Sequence, residues 1–152
     1  MRAALVLCDY AAQDITAGKI HMMGAGWSVT GPGPASHAVA AFIKVDWLEA
    51  NEKHQLRLQL VDSDGTPVAV PTPVGSPQPV VFPGVLEVPR PAGLPHGSEI
   101  DASFVINVQA LQLVPGQRYR WELLIGEDVL ASEPFLVRSM PGVLPATPAA
   151  EG

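Results

Sequence analysis

The sequence predicts an all-β chain, an antiparallel β-sandwich built from many short strands. Three observations carry this. Apolar residues alternate with period two in several segments, the signature of strands with one wet face. Fourteen Gly and sixteen Pro make up about a fifth of the 152 residues, where roughly an eighth is usual. No segment carries a sustained helical period. Proline removes a helix hydrogen bond and glycine costs about 1 kcal/mol in a helix interior, so this composition opposes a helical bundle. An apolar share of 47% supplies enough side chain for a core, which excludes a wholly disordered chain.

Ala3–Cys8 is an apolar run closed by Asp9 and Tyr10, read as a strand buried on both faces. Gly18–Thr30 is strand-like but interrupted, with Gly24 and Gly26 marking a bulge or a close backbone approach. Gly31-Pro32-Gly33-Pro34 breaks the chain, and Ala38–Val45 follows with Val39, Ala41, Ile43 and Val45 on one side and Lys44 and Asp46 on the other. Residues 47–53 are the one stretch compatible with a short helix.

Leu56, Leu58 and Leu60 alternate with Arg57 and Gln59, and Asp64-Gly65 turns the chain into Val68–Val70. Eight prolines between Pro71 and Pro95 confine that excursion to loop and edge strand. In Ile100–Ala110, alternate residues through Val108 and Ala110 face the core. Tyr119, Trp121, Leu123 and Ile125 then line one face, opposite Arg118, Arg120 and Glu122. Val129–Val137 is the final strand, with Pro134 as an edge or bulge mark. Residues 1–138 thus form the sandwich domain, and the Pro- and Ala-rich residues 139–152 are expected to be a flexible tail.

Leu113-Val114-Pro115-Gly116-Gln117-Arg118-Tyr119 resembles the tyrosine corner of fibronectin type III-like sandwiches. Leu113, Pro115, Gly116 and Tyr119 carry the likeness, which implies a Greek-key connection and a Tyr119 hydroxyl bonded to backbone just upstream. The expected fold is therefore a Greek-key sandwich of the immunoglobulin or fibronectin type III kind, with a jelly roll or a partly open barrel as the alternative.

Chemistry is harder to find. The net charge of −6 opposes a general nucleic-acid binder. Lys19 and the Arg118/Arg120 pair are the basic features, read as solvated strand faces. Asp62-Ser63-Asp64-Gly65 begins like a calcium loop but has Thr66 and Pro73 where further carboxylates belong, so a hairpin turn is expected. His21, His37, His54 and His96 lack metal-ligand spacing and are read as scattered surface or rim residues. No nucleophile elbow or phosphate cradle occurs, and Cys8 lies among apolar neighbours that raise a thiol pKa. No catalytic residue, metal ligand or cofactor is assigned. A single cysteine permits no intramolecular disulfide, and no segment reaches the roughly 20 apolar residues of a membrane-spanning helix. A cytoplasmic address without membrane attachment is the expectation.

The segments Leu5-Val6-Leu7-Cys8-Asp9-Tyr10-Ala11, Gly18-Lys19-Ile20, Met23-Gly24-Ala25-Gly26-Trp27 and Leu56–Gly65 resemble a family of uncharacterised small bacterial proteins, mostly actinobacterial. The resemblance runs across most of residues 1–138. It implies a stand-alone small protein and carries no activity, cofactor or site residue.

The leading functional expectation is a non-enzymatic interaction or structural protein, binding a protein partner or a second copy of itself. The alternatives are a small-ligand binder, with its pocket between the sheets or beneath the Pro71–Pro95 excursion, and a component of a phage or secretion particle. Trp27, Trp47 and His96 are the candidate interaction or pocket residues.

Overall fold

The computed structural model describes residues 1–139. In chain order the strands are β1 Arg2–Cys8, β2 Tyr10–Gln13, β3 Ile20–Met23, β4 Val29–Thr30, β5 Ala35–Val45, β6 Lys53–Asp62, β7 Ala69–Val70, β8 Gln78–Pro79, β9 Val81–Glu87, β10 Ile100–Leu111, β11 Arg118–Ile125 and β12 Asp128–Val137. One sheet has the order β1-β5-β10 and the other β4-β12-β11-β6-β9, while β2-β3 and β7-β8 form separate two-stranded ribbons. The chain crosses between the two main sheets from β1 to β4 through the β2–β3 ribbon, then at β4–β5, β5–β6, β9–β10 and β10–β11, a Greek-key sandwich. All main pairings are antiparallel except the two-residue addition of β4 to β12.

The alternating patterns place the core. Leu5, Leu7, Val39, Ala41, Ile43 and Val45 from the first sheet meet Leu58, Leu60, Trp121, Leu123, Phe135 and Val137 from the second. Trp121 is fully buried at the centre. Truncating such a residue to alanine costs about 3–5 kcal/mol. At the β10–β11 connection the Tyr119 ring is buried, and its hydroxyl accepts the Val114 amide at 3.0 Å.

The structure departs from the sequence reading in several places. β1 is covered on both faces only at its end, where Cys8 is fully buried while Ala4 is exposed. Gly18–Thr30 splits into β3 and β4. Gly24 (φ 63°) sits so close to Asp9 that a Cβ there would lie 2.1 Å from the carboxylate. The short helix of residues 47–53 shrinks to one 3₁₀ turn, Trp47–Glu49. Ala110 does not face the core: the β10–β5 register shifts between Val108 and Leu111. Ala110 there takes φ 45° and Leu111 turns inward in its place. Pro134 lies on β12, which β4 covers only at Leu136 and Val137. Apart from Ser139, the expected tail falls outside the described residues.

Candidate functional site

Trp27, Trp47 and His96 do not converge. Trp27 packs near the start of β5, with ring centroids 5.5 Å from His37 and 6.0 Å from Phe135, both edge-on. Trp47 follows the far end of β5, ten residues beyond His37 and thus roughly 30 Å away along an extended strand.

His37 corrects the surface-or-rim reading. β5 begins at Ala35, three residues before the expected start, and period two then points His37 inward with Val39 and Ala41. Its Nε2 accepts the Trp121 indole N–H at 2.9 Å. That bond assigns the remaining imidazole proton to Nδ1. Burial disfavours the imidazolium and pushes the His37 pKa down to about 4. His37 is therefore a neutral core residue that satisfies the central tryptophan.

Trp47 and His96 do come together, at the opposite end. Their ring centroids are 5.2 Å apart, and the Arg90 guanidinium lies 4.9 Å from the Trp47 ring centre. Arg90 Nε and Nη2 also donate to the Trp47 carbonyl at 3.1 and 2.7 Å. The loop is pinned further by His54 Nε2 donating to Glu49 O at 2.8 Å and by the Asn51 amide donating to Val88 O at 2.8 Å. Asn51 takes φ 61° to make that turn, a region asparagine tolerates. Leu48, next to Trp47, is 80% exposed on this anchored loop, and Leu94, two residues before His96, is also exposed. Sequence reading missed Arg90, because its contacts with Trp47 join segments more than forty residues apart, and Leu48, because a single leucine beside a tryptophan carries no mark of its exposure.

A second feature lies on the outer face of the three-stranded sheet. Its side chains stand in four cross-strand rows: Arg2–Lys44–Asp101, Ala4–Phe42–Ser103, Val6–Ala40–Val105 and Cys8–Ala38–Asn107. The β2–β3 hairpin folds back over this face, and Cys8, Ala11 and Ala38 form a small second core with Ile20 and Val105 against it. Asn107 bonds both the N–H and the carbonyl of Ala11, and Ser103 Oγ donates to Gly18 O at 3.1 Å. Burial raises the Cys8 thiol pKa, so this cysteine sits there as a packing residue. The first two rows and the hairpin edge enclose a groove of about 590 Å³, lined by Phe42, Ile20, Ala4, Arg2, Lys19 and Lys44 among others. The signal was present in the sequence: Ala38, Ala40 and Phe42 fall on the side of Lys44, nominally wet, yet are apolar.

The groove is not where a ligand pocket was expected. Between the sheets a slot of about 250 Å³ opens at the β9 and β10 edges, lined by Leu56, Phe82, Phe104 and Ile106 among others. Among the described residues no group of three or more His, Cys, Asp or Glu is placed to hold a metal ion. Asp62 Oδ1 instead accepts the Asp64 and Thr66 amides at 2.9 and 3.0 Å, closing the hairpin turn. No helix among the described residues is long and apolar enough to cross a membrane.

Fold and surface together define a Greek-key β-sandwich with elaborated loops and one decorated sheet face. The chain belongs to a family of unknown function (DUF6941), whose model matches residues 3–138. No curated protein matches. Among solved structures the chain is similar to Pseudomonas fluorescens alkylpurine DNA glycosylase AlkC bound to DNA containing an abasic site analog. The identity is 17% and the TM-score 0.41, over 74% of this chain and 28% of that one. That likeness is too slight to carry an argument.

Proposed function

We propose that this protein is a non-enzymatic recognition module that binds a protein partner through the loop end bearing Trp47, Leu48, Arg90 and His96. The observation that carries the reading is the exposure of Leu48 beside a tryptophan already in contact with arginine and histidine. Tryptophan and arginine dominate interaction hot spots, and a loop fixed before binding loses little entropy on association. Binding residues concentrate on loops carried by a rigid scaffold, and here a sandwich supplies one. The proposal includes a reducing, cytoplasmic setting, which the free buried Cys8 supports. It also includes a place among the small bacterial proteins the sequence resembles. The partner can be a second copy of the chain, and a phage or secretion particle is one assembly in which such a module would serve.

The test compares wild type with Leu48→Asp, which puts a charge on the surface without touching the core. Sedimentation velocity over a concentration series, together with quantitative affinity capture from the source cells, reads both forms of association. The expected result is an associated species that Leu48→Asp loses and Val74→Asp, at another exposed site, keeps. Association that is equal in all three proteins, or absent from wild type, overturns the proposal.

A further inference from the structure

The outer-face groove has a different chemistry from the loop end and stands independently of it. In a chain of net charge −6, three of the nine Lys and Arg residues line this one groove, beside a single carboxylate, Asp101. Two of the cations are partnered: Arg2 makes a two-point contact with Glu99 at 3.1 and 3.0 Å, and Lys44 pairs with Asp101. Lys19 makes no ion pair among the described residues. It leaves the Asp14–Gly18 turn, whose geometry is fixed by Asp14 Oδ1 accepting the Thr16 and Ala17 amides. The groove therefore holds one uncompensated positive charge at its hairpin wall.

The floor is apolar. Phe42 is 37% exposed in the row between Ala4 and Ser103, and Ile20 lies on the hairpin side. Alanine beside phenylalanine leaves depth that a larger β1 side chain would fill. At about 590 Å³ the volume falls among small-molecule sites. An occupant that matches both features is a small amphipathic anion, with an apolar tail over Phe42 and a charged head at Lys19. Of such anions a carboxylate suits best, because a single ammonium compensates a single charge, whereas a phosphate dianion would leave one charge facing Asp101.

We propose that this groove binds a small hydrophobic carboxylate, its tail on Phe42, Ala4 and Ile20 and its head on the Lys19 ammonium. The experiment is a ¹H–¹⁵N correlation titration of the full chain with octanoate, with octanol as the neutral match in tail and octyltrimethylammonium as the cationic one. Saturable shifts at Ala4, Ile20, Phe42 and Lys44 are expected, with octanoate binding about tenfold more tightly than octanol, the weight of one charge-assisted hydrogen bond. Lys19→Gln should bring octanoate down to octanol while leaving the melting temperature unchanged. Phe42→Ser should weaken both ligands. Absence of saturable shifts at millimolar octanoate, equal binding of octanol and octanoate, or an unchanged response in Lys19→Gln each overturns the proposal. Loss of the Leu48-dependent association would leave these outcomes untouched.

Discussion

The Trp27–His37 and Trp47–His96 pairs lie at opposite ends of β5, and their surroundings give them opposite parts. Trp27 and His37 lie against the core, where His37 accepts the Trp121 indole N–H and is held neutral by burial. Trp47 and His96 stand at the surface, stacked with Arg90 and flanked by an exposed leucine. Residue type alone does not separate them. What separates them is the phase of β5, which turns His37 inward, and the 3₁₀ turn after it, which releases Trp47 to the rim. A buried polar residue is fixed by the partner it must satisfy, while a half-buried tryptophan flanked by exposed His96 and Leu48 leaves a surface for an incoming one.

The contrast predicts unequal responses to equal substitutions. His37→Leu leaves the Trp121 N–H buried without an acceptor, and should destabilise by about 2 kcal/mol. His96→Leu should stay within about 0.5 kcal/mol of wild type, as surface changes do. Urea denaturation of the two variants side by side checks this, and equal losses would erase the contrast. Adding Trp121→Phe to His37→Leu should cost less than the sum of the two single changes, since the stranded donor is removed with its acceptor.

A pH profile sharpens the same comparison. The His37 pKa falls from 6.5 to about 4 on folding, so between those values the unfolded chain holds more protons than the folded one. Stability contributed by neutral His37 is complete above pH 6.5 and drains away as pH falls toward about 4, with a slope of at most about 1.4 kcal/mol per pH unit from this proton. His37→Leu should remove that part of the acid limb in denaturation curves collected from pH 7 downward. An unaltered limb would mean that His37 is not kept neutral by the core.

Smaller effects are expected where single backbone contacts are concerned. Tyr119→Phe strands the Val114 amide, for about 1 kcal/mol, measurable as a lower urea midpoint. Gly24→Ala places a Cβ against Asp9 at φ 63°, and the left-handed backbone alone costs about 1 kcal/mol. Gly26→Ala, where a Cβ meets nothing within 4 Å, bears the backbone strain alone and should cost no more than Gly24→Ala.

Much of the sandwich was legible in the sequence. The alternation in Leu56–Leu60 reports the core-facing side directly, and the Pro71–Pro95 excursion does contain the edge strand β9. In β11 the core face was legible, but the face expected to be wet is not: Glu122 and Leu124 are buried there as well. The β2–β3 hairpin was not, because Tyr10–Gln13 is too short for a period and Gly24 and Gly26 obscure where β3 ends. Ala110 was misplaced because a bulge breaks the parity that the reading extrapolates. Of the surface sites, Trp47 and His96 could be named but not joined. Arg90, Arg2 and Lys44 acquire their meaning from cross-strand register and loop contact, which a single sequence does not display.

In the proposed function the Trp47 end binds a partner, and Leu48 is its exposed contact. The most direct measurement is quantitative affinity capture from the source cells with wild type and Leu48→Asp, matched by circular dichroism for folding. Leu48→Asp should keep the fold unchanged and lose at least one captured species, a second copy of the chain included. An identical set of captured species from the two proteins would contradict it.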